Sequence, residues 1–149
     1  MLTALRVLAA MVAGVFVAFL LVVAVELFSN VVHPFPEDFG GTPEEVCRHV
    51  ERYPPWVLAL VVPAWAFAAF AGSWTAKRIG NVYSFAIVSL LLLAALVLNI
   101  SMLPYPLWFK VASLLATAAA ILAAGRSLTR GKTAGLLEST EAIPPGSPA

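Results

Sequence analysis

Four long apolar stretches divide the chain, and the polar residues between them fall into a few short groups. The first stretch runs from Val7 to Val25 without a charged side chain and closes on Glu26-Leu-Phe-Ser-Asn-Val-Val-His33. The second reaches from Trp56 to Thr75 and contains Pro63, the third from Val82 to Leu103, and the fourth from Leu107 to about Ser127. None alternates with the period of a strand, and each is about as long as the roughly 20 residues a helix needs to cross about 30 Å of hydrocarbon. The pattern predicts an all-α integral membrane protein: a four-transmembrane-helix bundle with spans at about 5–31, 56–76, 82–103 and 107–127. The first span is read as uncleaved, because it outruns a signal-peptide core of about 7–15 residues and is followed by Glu26, Leu27 and Phe28 rather than small residues.

The polar groups supply the connections. His33-Pro-Phe-Pro-Glu-Asp-Phe-Gly-Gly41 is turn-forming. Thr42 and Glu45 then have the spacing of a capping box, Pro43 suits the first helical position, and Val46, Val50 and Tyr53 form a narrow apolar stripe. Glu44 with Arg48 and Glu45 with His49 are i,i+4 pairs. These residues predict a short amphipathic extracytoplasmic helix within an outer loop over residues 33–55, lying on the bilayer surface and stopped by Pro54-Pro55. Lys77-Arg78-Ile-Gly-Asn81 and Pro104-Tyr-Pro106 are tight turns. The tail over 129–149 has too little apolar material to pack and is expected to be a disordered cytoplasmic segment.

Composition strengthens the membrane assignment. Of 149 residues 61% are hydrophobic and only 11% charged, with a mean hydropathy of +0.92, against about 25% charged in ordinary soluble domains. A net charge of +1 with no basic stripe argues against a nucleic-acid partner. The single cysteine, Cys47, excludes an intrachain disulfide and any Cys-x-x-Cys redox or zinc site. Basic residues set the orientation. Arg6, Lys77, Arg78, Arg126, Arg130 and Lys132 fall on one side of a four-span arrangement, whereas Arg48, Arg52 and Lys110 fall on the other with five loop acids. The positive-inside rule therefore puts both termini in the cytoplasm, with Tyr53, Trp56, Tyr105 and Trp108 forming an outer aromatic belt and Trp74 and Tyr83 an inner one.

Lipid provides no hydrophobic drive between helices, so small residues mark where they meet. Ala10, Gly14 and Ala18 on span one, Ala64, Ala68 and Gly72 on span two, and Ala112, Ala116, Ala120 and Ala124 on span four predict close packing, with span three turned more to lipid. Polar residues inside the spans are the candidate chemistry. Glu26, Ser29, Asn30 and His33 share one helical face, and ionisable groups at membrane depth face a bundle interior, a cavity or a partner. By depth, Glu26, Asn99 and Lys110 lie together, which predicts an intramembrane polar cluster of Glu26, Asn30, His33, Asn99 and Lys110 with Glu26 paired to Lys110 or bonded to Asn99. Ser73 and Thr75 are expected to bond their own helix carbonyls. Cys47 and His49, two residues apart on a helix, point in different directions and read as part of a solvated surface, neither metal ligands nor a nucleophilic pair. No catalytic, cofactor-binding or metal constellation is predicted.

Asn30-Val-Val-His33-Pro34 after Glu26, the proline before Trp56, and Asn99-Ile-Ser-Met-Leu-Pro-Tyr-Pro-Leu-Trp-Phe109 together resemble a group of uncharacterised small bacterial four-span inner-membrane proteins. In that group the hairpin between spans three and four commonly reads Asn, a few apolar residues, then Pro-His-Pro-x-Trp-Phe. Tyr105 stands here in place of the histidine, and Ser29-Asn30 where Gly-His is common, which counts against a histidine-based site. The resemblance covers residues 5–128 and implies a bacterial inner-membrane location but no activity. Small multidrug-resistance exporters carry their glutamate near the middle of span one and lack so long a first loop, and vitamin K epoxide reductase-like proteins need a Cys-x-x-Cys. The expectation is a non-enzymatic accessory or structural membrane component without cofactors, in contact with lipids and with a membrane-protein partner or a second copy. The alternative is a small proton- or ion-coupled transporter using Glu26. A Glu26 sealed against Lys110 and Asn99 would speak against transport, and a lipid-facing one against both readings.

Overall fold

In the computed structural model the backbone is described for residues 2–141 and the side chains for residues 3–127. Five helices follow one another: α1 (Leu2–Val32), α2 (Pro43–Glu51), α3 (Pro55–Ile79), α4 (Val82–Met102) and α5 (Leu107–Glu141). No strand occurs among the described residues, and α1, α3, α4 and the Leu107–Ser127 part of α5 are each long and apolar enough to cross a membrane. The tail expected to be disordered, 129–149, lies outside the residues described in full.

Local chemistry accounts for where the helices begin and stop. At α2 the Glu45 amide donates to Thr42 Oγ1 at 3.3 Å while Glu45 Oε2 accepts from the amides of Thr42 and Gly40, each at 3.0 Å. These bonds satisfy amides that the first helical turn leaves without partners, and they hold the Glu45 carboxyl below the usual carboxylate range. Gly41, at φ 79°, takes the left-handed conformation that lets the chain enter this cap. Asn81 caps α4 through its side-chain oxygen, which accepts from the amides of Tyr83 and Ser84 at 2.9 and 3.1 Å. Pro63 sits within α3, which runs on without a break.

Helix α3 packs against α1, α5 and α4, and α4 also meets α1 and α5, while the backbones of α1 and α5 do not come close to one another among the described residues. The α1–α3 contact follows the small residues, with Ala10, Ala18, Ala68 and Ala76 buried and Gly14 set against Gly72. On α5 the buried face is Phe109, Ser113, Thr117 and Ala124, one position round from most of the expected alanine stripe. Helix α4 keeps Leu90, Leu91 and Leu98 exposed. Its link to α3 is a hydrogen bond from Ser89 Oγ to Ser73 Oγ of 3.0 Å, so Ser73 bonds across helices and not to its own helix as expected.

At one end of the molecule Arg6 Nε donates to the Ile79 carbonyl at 2.7 Å and the Lys77 ammonium to the Gly125 carbonyl, tying α1 and α5 to the end of α3. At the other end lies an apolar core of Val57, Leu58, Val61 and Phe109, against which Val25, Trp65, Tyr53 and Tyr105 pack. Tyr53 and Tyr105 therefore turn inward, whereas Trp56 and Trp108 of the same expected belt stay exposed.

Candidate functional site

The helix arrangement leaves a cavity of about 210 Å³ to which all four long helices contribute. Ala18, Val22 and Glu26 come from α1, Trp65, Ala68 and Ala69 from α3, Leu92, Ala95, Leu96 and Asn99 from α4, and Thr117 from α5. Its existence follows from the packing: α1 and α5 stand apart on either side of α3, and the space between is lined on α3 by the small side chains of Ala68 and Ala69. Exposed lining residues, Glu26, Ala95 and Asn99, mark its rim, and buried ones, Ala18, Ala68 and Thr117, its floor.

Its walls are apolar apart from four groups. Glu26 brings a carboxylate and Asn99 a carboxamide. Thr117 Oγ1, on a residue only 2% exposed, and the indole nitrogen of Trp65 are both buried and have no hydrogen-bond partner in the protein. An unsatisfied buried polar group costs roughly 1–3 kcal/mol, but both atoms are closed off, so the side-chain polar surface that the cavity presents is that of Glu26 and Asn99. Ser113 Oγ, one turn along α5, is likewise buried and unpartnered.

The residues expected to cluster are placed as follows. Glu26 and Asn99 line the cavity together. Lys110 is half-buried and outside its lining, and no ion pair joins it to Glu26 among the described residues. Asn30 is exposed on α1. His33, whose amide closes α1 on the Ser29 carbonyl at 2.8 Å, belongs to a separate group in the loop. Glu26 is thus not sealed by Lys110: it is exposed at the rim of the cavity, with part of its surface turned away from the helices.

The loop group is an aromatic stack that residue spacing did not reveal. The His33 and His49 rings lie 4.4 Å apart and Phe35 stacks on His49 at 4.3 Å, with Tyr53 4.7 Å from His33 and edge-on to His49. The ring nitrogens Nε2 of His33 and His49 are buried without partners. His49, expected on a solvated helix face, is buried instead, and burial followed by the neighbouring His33 pushes its imidazole below the ordinary value. The signal available in the sequence was the density of rings, with His33, Phe35, Phe39, His49 and Tyr53 all in one loop. No group of three histidine, cysteine or acidic side chains comes together as a metal site among the described residues. A second cavity of about 360 Å³ lies beside the stack, lined in part by Asp38, Arg48 and Arg52.

Two phenols feel the charge of Glu26. Burial first, and then the charge of Glu26, raise the hydroxyls of Tyr53 and Tyr105 above the ordinary phenol value, so both remain protonated donors. Tyr105 in turn meets Trp65 edge-on, with ring centroids 6.3 Å apart. The charge of Glu26 thus acts on both phenols. Compared with known proteins, the chain matches no family model, no curated protein and no solved structure.

Proposed function

We propose that the chain is a four-helix bundle in the inner membrane of a bacterium, with both termini in the cytoplasm and the 33–55 loop, including α2, outside. Within it, Glu26 is the titrating group of a small proton- or cation-coupled carrier. The supporting observation is the Glu26 cavity: a carboxylate at membrane depth beside the Asn99 carboxamide, with no basic side chain among the lining. A charge in such surroundings is costly unless it takes up a proton or meets a cation that comes and goes. That alternation is what coupling requires.

The test is flux in proteoliposomes with a trapped pH-sensitive dye. Under an imposed cation or proton gradient, wild type is expected to move protons above the rate of empty vesicles and Glu26→Gln to fall to that rate. Equal, background-level flux from both, across the candidate ions, removes the carrier reading. A second reading, an accessory component bound to another membrane protein, is favoured by one feature. Val31, Met102 and Leu107, at the outer-end positions of three helices, are the most exposed large apolar side chains, at 81%, 78% and 77%, and together with lipid they offer a surface to a partner or a second copy.

A further inference from the structure

The chemistry of the Glu26 cavity restricts what it can hold. We infer that it is a binding site for a small monovalent ammonium bearing one apolar group, about the size of benzylammonium. This rests on the reading above at one point, that Glu26 carries the charge of the cavity.

Charge is the first restriction. No lysine or arginine lines the cavity, so an anion would face the Glu26 carboxylate with nothing to attract it, and a neutral apolar guest would leave that carboxylate unmatched. The occupant supplies the positive charge. Coordination is the second. Glu26 and Asn99 are the side chains that present oxygen to the cavity, whereas calcium takes 6–8 oxygen ligands and magnesium needs a near-ideal octahedron. An ammonium has three N–H donors and needs only a few acceptors. The carboxylate provides the main one, and the Asn99 carboxamide oxygen is the other available.

Size is the third. A cavity of about 150 Å³ lined by aliphatic side chains takes up benzene, and a water occupies about 30 Å³. The 210 Å³ here is larger than that benzene-sized space, so a ring carrying a short ammonium arm has room. The remaining walls suit the apolar part: Ala68, Ala69, Leu92 and Leu96 are aliphatic, and the Trp65 ring can face either an apolar body or a cation. The route fits as well. Glu26 is itself exposed at the rim, so an amphiphilic amine can reach it without crossing the core.

The experiment is equilibrium binding of benzylammonium to the purified full chain in lipid nanodiscs at neutral pH. Benzyl alcohol and benzoate serve as neutral and anionic ligands of similar shape, and empty nanodiscs as the blank. Wild type is expected to bind one benzylammonium per chain at least about tenfold more tightly than benzyl alcohol, the ratio that one charge-assisted hydrogen bond supplies, and to bind no benzoate. Glu26→Gln should lose that preference and Lys110→Gln should keep it. Equal affinity for amine and alcohol in wild type overturns the inference, as does a preference that survives Glu26→Gln or is matched by empty nanodiscs. Should Glu26→Gln fail to fold, the wild-type comparison of the three ligands decides alone. Amine binding without flux sinks the carrier reading and leaves the site, and proton flux without amine preference does the reverse.

Discussion

Gly14 of α1 and Gly72 of α3 touch backbone to backbone: a β-carbon built on either would lie 2.7 Å from the carbonyl oxygen of the other. No side-chain rotation can relieve such a clash, because the obstacle is main chain. The same two positions are hemmed in by the β-carbons of Ala76 at 2.9 Å and Ala18 at 2.8 Å. Gly14→Ala and Gly72→Ala are therefore each expected to push α1 off α3 and to cost about 1–3 kcal/mol, the range for overpacking in a close-packed interior. Gly125→Ala is the control, since its new methyl would meet the end of the Phe85 ring at 3.3 Å, a side chain that can move. Thermal unfolding in detergent measures the difference, and a Gly14→Ala melting point equal to that of Gly125→Ala would show that the helices do not meet here.

The loop stack should open in acid. His49 has a folded-state value below the ordinary 6.5, from burial first and His33 second, with Arg52 acting in the same direction. The unfolded loop therefore binds more protons than the folded one as pH falls, so the stabilising contribution is complete above 6.5 and is lost as pH drops through 6.5 toward the depressed value. Amide exchange in α2, or proteolysis between residues 33 and 54, should rise over that window. His49→Phe keeps a ring against Phe35 without the titration and should flatten the response. An unchanged acid profile in His49→Phe would assign the opening to another group.

Cys47 is a built-in reporter of topology, being the single cysteine and half-buried on α2. If the 33–55 loop lies outside, a membrane-impermeant maleimide applied to spheroplasts should label it without permeabilisation. Labelling only after the membrane is broken would invert the topology and put both termini outside. The reagent reports on the side of the membrane alone, so the result is independent of any activity.

The amino-acid sequence by itself determined the number of long helices, their approximate ends, the Thr42–Glu45 cap and the small residues at which α1 and α3 approach. These are local matters: apolar length decides what can cross hydrocarbon, and prolines, glycines and capping side chains decide where a helix stops. Tertiary structure decided which way each helix turns. A segment that is apolar all round has no polar face to set its rotation, so Ser113 and Thr117 are buried where the alanine stripe of α5 was expected, and Tyr53 and Tyr105 point into the core. The surroundings of Glu26 were decided the same way. Matching residues by depth brought Asn99 and Lys110 equally close, and rotation of α4 and α5 kept the first at the cavity and removed the second. Trp65 and Thr117 stayed invisible beforehand, because an indole and a hydroxyl in an apolar helix become chemistry only when packing leaves them buried and without a partner.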